Sequence, residues 1–465
     1  MTLACNATRP LLSLLFASFY ALGAIAQDDA SNEVYQQAPT PSIVKSSGKR
    51  GESSDKGRPS SERDVLIVKS ERPSQEKIVT IKQLQEEAIE NHPSYKIAEN
   101  AIEAERGVRT QAGLRPNPKI RYQGEEVGAD GKAGKQGFTL EQEFGTNNRR
   151  RLLVQLSDRS LETLDWNKQI AVAKIRNDVR SLAYRVLIAQ KKVDFHRQLV
   201  SISQTAEDKA KAAISAGSVE ITQLHFIQLQ NQTRQAKLML TQELNAKEAL
   251  EKKLAAMIGA PDEPIGEIAD NPETLGDDEQ LGENETLDAI LERSPEIARK
   301  RANIQEKQAA LALERSPQRE IAVEGGASYD FADNTTLAQI GVGIPIRVNN
   351  RNEGNIQRAT AEYFAAQRDL EKLQLKLRAD FAEVYSVYKS ARAEVQAYQQ
   401  EILPDLEKFF SMSQQAYQQG QINFLEISSA RAAYIGSYVN YLEALERLAD
   451  SIVKIEGALL ENSLE

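Results

Sequence analysis

Three histidines, four methionines and one cysteine are all that this 465-residue chain offers to a soft or borderline metal ion. Their spacing makes no site. A zinc centre of the Cys/His kind needs ligand pairs a few residues apart, whereas His92, His196 and His225 are scattered and Cys5 stands alone. His196 falls on the apolar seam of a long helical pattern, where a packed or hydrogen-bonded imidazole is the simpler reading. Met239, Met257 and Met412 do not cluster and read as packing residues. The sequence contains no glycine-rich phosphate loop and no pairing of a nucleophile with a base. No catalytic residue, metal or cofactor is therefore expected, and any energy for work must come from a partner.

The elements around these residues point outward from the cytoplasm. Arg9 precedes the apolar run Leu11–Ala26, which ends in Ala24-Ile25-Ala26. A basic start, an apolar core and a small-x-small end make a secretory signal peptide cleaved near Ala26. The run is short for a spanning helix of about 20 residues. Cys5 lies inside it, so the exported chain is expected to have no disulfide and no cysteine nucleophile. No long apolar stretch follows, so a mature chain that enters a membrane must do so as a closed barrel. A net charge of −9 disfavours a nucleic-acid partner. Residues 27–77 are polar, mixed in charge and aperiodic, and read as a disordered extension or a partner-binding tail.

From residue 80 the chain repeats itself. Asn91-His92-Pro93 is answered by Arg293-Ser294-Pro295, Asn147-Asn148-Arg149 by Asn349-Asn350-Arg351, and Ala216-Gly217-Ser218 by Gln419-Gly420-Gln421. Each offset is roughly 200 residues. The expected units are repeat 1 (78–258), an acidic connector without Lys or Arg (259–284) that reads as a surface loop or small subdomain, and repeat 2 (285–465). Each repeat reads as helix, strand, strand, very long helix, turn, helix. The first helix should start near Thr80 or Thr286 and break at Pro93 or Pro295. The long helices should run from about 148 to 216 and from 350 to 419, with Pro404 bending the second. Ile175, Val179, Leu182, Val186, Ala189 and Val193 form a seam of 3.5-residue period. Leu370, Leu373, Leu377, Phe381, Val384, Tyr388, Ala391, Val395, Tyr398 and Ile402 continue similarly with one stutter. Helices of about 70 residues would reach roughly 100 Å, a length that suits a tube wall.

Strands of period two are expected at about 118–127, 136–144, 319–331 and 335–346. One face of each is apolar or small and much of the other is polar, as in a membrane barrel with a wet interior or a half-buried soluble sheet. Four strands cannot close a pore alone, so several subunits must share one barrel.

These features resemble the outer-membrane efflux protein family, the TolC-like channels, over about residues 80–460. The most specific stretches are Gly343-Ile344-Pro345-Ile346-Arg347-Val348-Asn349-Asn350-Arg351-Asn352-Glu353-Gly354-Asn355 and Tyr417-Gln418-Gln419-Gly420-Gln421-Ile422-Asn423-Phe424-Leu425-Glu426-Ile427. The first is similar to the CzcC-like heavy-metal branch. The resemblance implies a mainly α fold with a small β part: a homotrimer with a twelve-stranded β-barrel in outer-membrane lipid and a long α-helical periplasmic tunnel. It implies a periplasmic adaptor (membrane fusion) protein and an inner-membrane pump of the proton-driven resistance-nodulation-division type as partners. Ala216, Gly217, Ser218, Gln419, Gly420 and Gln421 would form the periplasmic tip turns and dock the adaptor. Glu426 matches an acidic constriction residue, and Glu220 is a second candidate; three copies of such a carboxylate would make a ring that favours cations. Ser429 departs from the pattern, standing where some relatives place a second acid.

The function expected is thus a passive duct for efflux, with heavy-metal cations as cargo. The alternatives are a duct for drugs or secreted polypeptide, a soluble periplasmic coiled-coil scaffold, and an envelope enzyme, for which no cleft of convergent titratable groups can be assembled.

Overall fold

The computed structural model describes residues 78–463 apart from 129–130, 132, 146, 217–221, 277–280, 318–319 and 347. The expected signal peptide at 1–26 and the extension at 27–77 lie outside the described residues. Thr80 opens the first helix as an N-cap. Its hydroxyl accepts from the Gln83 N–H while the Gln83 side chain accepts from the Thr80 N–H, a capping box that satisfies two donors the helix leaves open. Helix α1 (Ile81–Asn91) stops before His92, because Pro93 brings no N–H and fits only the first turn of a new helix, α2 (Pro93–Gly113).

Two antiparallel strands follow, β1 (Lys119–Glu125) and β2 (Lys135–Gly145), then the 69-residue α3 (Asn147–Ser215) and the 35-residue α4 (Gln223–Met257). The second half runs in the same order: α5 (Glu283–Arg293), α6 (Pro295–Arg315), β3 (Glu320–Asp330), β4 (Thr335–Gly343), then α7 (Glu353–Ala397), α8 (Leu403–Gln418) and α9 (Phe424–Glu456). Helices α1 and α5 both have 11 residues, and α2 and α6 both have 21, so the proline breaks fall at matching places. Helix α5 begins at Glu283, three residues before Thr286. Glu283 and Glu285 in its first turn suit the positive end of the helix dipole. Strand β4 ends at Gly343 and not at 346, since Pro345 cannot donate to a ladder.

At 1.5 Å per residue α3 is about 100 Å long. Its first half packs on α2 and α6, its second on α4 and α9. Between α7 and α8 the expected bend at Pro404 takes the form of a π-helical turn, Tyr398–Ile402. Proline lacks the N–H that would close the α-helical bond to residue 400, and the chain widens: the Leu403 N–H reaches back to the Tyr398 carbonyl, and both flanks remain right-handed helix. Ile402, expected on the seam, is 37% exposed, because the wider turn rotates it off the stripe. The α3 seam, Ile175 to Val193, is buried throughout.

The main core lies where α1, α3, α7 and α9 meet. Ile175, Val179 and Ile188 of α3, Phe381 and Tyr388 of α7, and Leu442, Leu445 and Leu448 of α9 are fully or almost fully buried there. The connector 259–284 is stitched to this core and is no free loop. Val79 and Ile268 form a parallel bridge, the Tyr385 hydroxyl donates to the Leu281 carbonyl at 2.8 Å, and the Leu281 N–H donates to the Tyr388 hydroxyl at 3.2 Å. The chain beyond α9 folds back onto α3. Asn177 Nδ2 donates to the carbonyls of Gly457 and Leu460, and the Asp178 carboxylate accepts from the N–H groups of Asn462 and Ser463. A side-chain carbon at Gly457 would sit 2.2 Å from Asn177 Nδ2, so a larger residue would displace the Asn177 amide from these carbonyls.

Candidate functional site

The four strands form one antiparallel sheet in the order β1-β2-β3-β4. Directly opposed residues share a face, so the register sorts every side chain. Ile120 opposes Leu140, Leu140 opposes Gly325, and Gly325 opposes Ile340. The next rows add Tyr122, Phe138 and Ala327 on one side and Val323 and Val342 on the other. This face is a continuous apolar surface, yet it is bare: Ile340 is 87% exposed, Ile120 77%, and Phe138 62%. The period-two alternation expected from the sequence is therefore present, but no part of the described chain covers its apolar side.

The opposite face is charged. Lys119 Nζ lies 2.6 Å from Glu143, Arg121 lies 2.6 Å from Glu141, and Lys135 lies 3.8 Å from Asp330. Gln339 donates to Gln123 across the sheet at 3.1 Å. Both outer strands, β1 and β4, present one edge without a strand partner among the described residues. An open edge with an apolar face beside it is a strong demand for further pairing. Among the described residues no helix is long and apolar enough to cross a membrane.

At the far end of the long helices the turns behave as their sequences suggest where they are described. Gly420 sits at φ +71 in the turn between α8 and α9. The Gly420 N–H donates to the Tyr417 carbonyl and the Gln421 N–H to the Ala416 carbonyl, the paired bonds of a Schellman cap. Ala216, Gln419, Gly420 and Gln421 are exposed. Gly217, Ser218 and Glu220 lie outside the described residues. A side chain at 420 would meet nothing within 4 Å, so the backbone alone penalises one. Gly420→Ala is expected to cost about 1 kcal/mol, read as faster amide exchange confined to the α8–α9 junction; unchanged exchange there would show that the left-handed turn is not held in solution.

Glu426 has a structural role that its position past the turn did not reveal. Its carboxylate accepts from the Asn423 N–H at 3.2 Å while Asn423 Oδ1 accepts from the Glu426 N–H at 3.0 Å, a second capping box opening α9. The carboxylate is exposed. The start of α4 and the start of α9 meet through His225 and Phe424, with ring centroids 5.4 Å apart, and Tyr417 packs edge-on to Phe424 at 6.4 Å. The contact of His225 with Phe424 was invisible in sequence, since about 200 positions separate the two.

The other histidines are packed, as the seam position of His196 suggests. His196 is buried beside Phe195, and burial pushes its imidazole below the ordinary value. His92 caps α2, its Nδ1 accepting from the Ser94 N–H at 3.2 Å; burial lowers its pKa too, against the pull of Asp178. Among the described residues no three His, Cys, Asp or Glu side chains group to hold a metal ion.

The described chain thus joins a sheet with one bare apolar face and one charged face to long paired helices. Residues 286–459 match the profile described as outer membrane efflux protein. The cobalt-zinc-cadmium resistance protein CzcC of Cupriavidus metallidurans is 24% identical over 367 residues, 78% of this chain and 85% of that protein. Among solved structures, CusC, described in terms of transmembrane channel formation, superposes with a TM-score of 0.68 at 14% identity, covering 82% of this chain and 92% of its own. The outer membrane protein VceC of Vibrio cholerae gives 0.64 at 16%, covering 82% and 94%.

Proposed function

We propose that the chain is the outer-membrane duct of a tripartite efflux system, exported by cleavage near Ala26 and working as a homotrimer. Three four-stranded sheets would close one twelve-stranded barrel, β1 of one copy pairing β4 of the next, and the helices would form the periplasmic tunnel. The observation that carries this reading is the sheet itself: its apolar face is exposed and both its edges are open. In lipid every backbone polar group must be paired within protein, which closure achieves, and the apolar face then meets acyl chains. A soluble coiled-coil scaffold would have no use for such a sheet.

The two halves are read as copies of one unit, and the turns at Gly217 and Gly420 as the periplasmic mouth. Ala216, Ser218, Gln419 and Gln421 would dock a periplasmic adaptor, which couples the duct to an inner-membrane pump of the resistance-nodulation-division type. The duct has no energy source of its own. Heavy-metal cations are the proposed cargo, supported by the relative's naming for cobalt, zinc and cadmium resistance. Deleting the gene should sensitise cells to zinc, cobalt and cadmium while leaving tolerance of hydrophobic drugs unchanged. Sensitivity to drugs alone would transfer the duct to another cargo, and release of the protein with soluble periplasmic contents would end the duct reading itself.

Glu426 can be tested without disturbing its cap, because a glutamine at this position of a capping box accepts the same bond. Glu426→Gln should leave folding intact and reduce the cation preference of single channels in a planar bilayer by about twofold or more, as expected for a neutralised carboxylate ring. An unshifted reversal potential would reduce Glu426 to a helix cap.

A further inference from the structure

A second feature near the helical turns is not accounted for by a duct. Between the α3–α4 hairpin and the α8–α9 hairpin lies a groove of about 330 Å³, a size within the range of small-molecule sites. Its walls are largely apolar: Ile202, Leu229, Phe410, Phe424 and Ile427 face it. Two cations complete it, Arg431 within and Lys209 at an exposed position, and no carboxylate lines it among the described residues.

Arg431 is the unusual member. It belongs to α9 but reaches across to α3, donating to Ser203 Oγ and to the Leu199 carbonyl at 3.4 Å. Both partners are neutral, and among the described residues no carboxylate pairs with Arg431. Two arginines of α3 provide the contrast, Arg185 meeting Asp450 and Arg180 meeting Glu456. Burial lowers the Arg431 pKa with nothing opposing it. A desolvated guanidinium without a counter-charge is costly, and an arriving anion removes that cost. A guanidinium has five N–H donors, so the two bonds to α3 leave donors for a ligand.

We propose that this groove binds an anionic amphiphile, a small molecule with one carboxylate or sulfonate head on Arg431 and Lys209 and an apolar tail along the aromatic wall. Charge complementarity selects the head: two cations and no carboxylate among the described lining residues disfavour a cationic amphiphile of the same shape. Because the groove separates the two hairpins whose turns are proposed to form the mouth, such a ligand would wedge them at one spacing.

The test uses the full exported chain in neutral phosphatidylcholine nanodiscs, titrated calorimetrically with decanoate below its aggregation concentration and with decyltrimethylammonium as the cationic control. Decanoate should saturate at one per protomer, and decyltrimethylammonium should show only partition into lipid. Arg431→Met should weaken decanoate about tenfold, the loss of one charge-assisted contact, while Arg431→Lys retains most of the affinity. Lys209→Gln, at an exposed side chain whose loss does not threaten folding, should weaken it about twofold to threefold. Equal behaviour of the two amphiphiles, or decanoate binding unchanged in both Arg431→Met and Lys209→Gln, would overturn the proposal and leave the groove to a neighbouring polypeptide. None of these outcomes depends on whether the protein conducts metal ions.

Discussion

Ile340→Arg should abolish assembly in the outer membrane. Ile340 lies in the middle of β4, is 87% exposed, and shares its row with Leu140 and Ile120 on the apolar face. If that face meets lipid, an arginine near the bilayer midplane costs about 2–4 kcal/mol per copy. Threefold repetition would bring this to roughly 6–12 kcal/mol per trimer, comparable with the whole stability of an ordinary domain. The neighbouring residue is the internal control. Gln339 points to the charged face and bonds Gln123, so Gln339→Arg places the same charge in the proposed wet lumen and should assemble within about 1 kcal/mol of the parent. Quantifying trimer in detergent extracts of outer membranes checks both. Normal trimer yield for Ile340→Arg would mean that the apolar face does not contact lipid.

Phe381→Ala should produce the largest loss of helical stability. The Phe381 side chain is 2% exposed and stacks on Tyr385 with ring centroids 5.3 Å apart. Removing a buried phenyl ring forfeits its transfer free energy and leaves a cavity, together about 3–5 kcal/mol. The site has little freedom to collapse, because Tyr385 and Tyr388 are tied to the connector through Leu281. Phe409, 53% exposed on α8, provides the comparison: its alanine variant should lie within about 1 kcal/mol of the parent in the isolated chain. Urea unfolding followed by far-ultraviolet circular dichroism distinguishes the two. A loss below about 1 kcal/mol for Phe381→Ala would place the main core elsewhere.

Much of the helical architecture was legible in the residues because its causes are local. Pro93 and Pro295 break helices wherever they stand, by lacking an N–H, and both breaks fall where they were expected. The α3 seam reads directly from its 3.5-residue period, since burial of a stripe needs only that the stripe exist. Pro404 announced an irregularity, but its form as a π turn, and the displacement of Ile402 from the seam, depend on how the flanking helices hold the chain.

The sequence by itself determined the alternation of the strands, the places where prolines break the helices, and the absence of any His/Cys ligand spacing. Tertiary structure decided everything that depends on residues distant in the chain. It joined β2 to β3 across roughly 180 intervening positions, so that four separate alternations became one bare apolar face. It also brought Arg431 to Ser203 and Leu199, two neutral partners. Propensity and period act through neighbours along the backbone, whereas register, burial and the pairing of charges are settled by which surfaces meet in space, and no local rule specifies that.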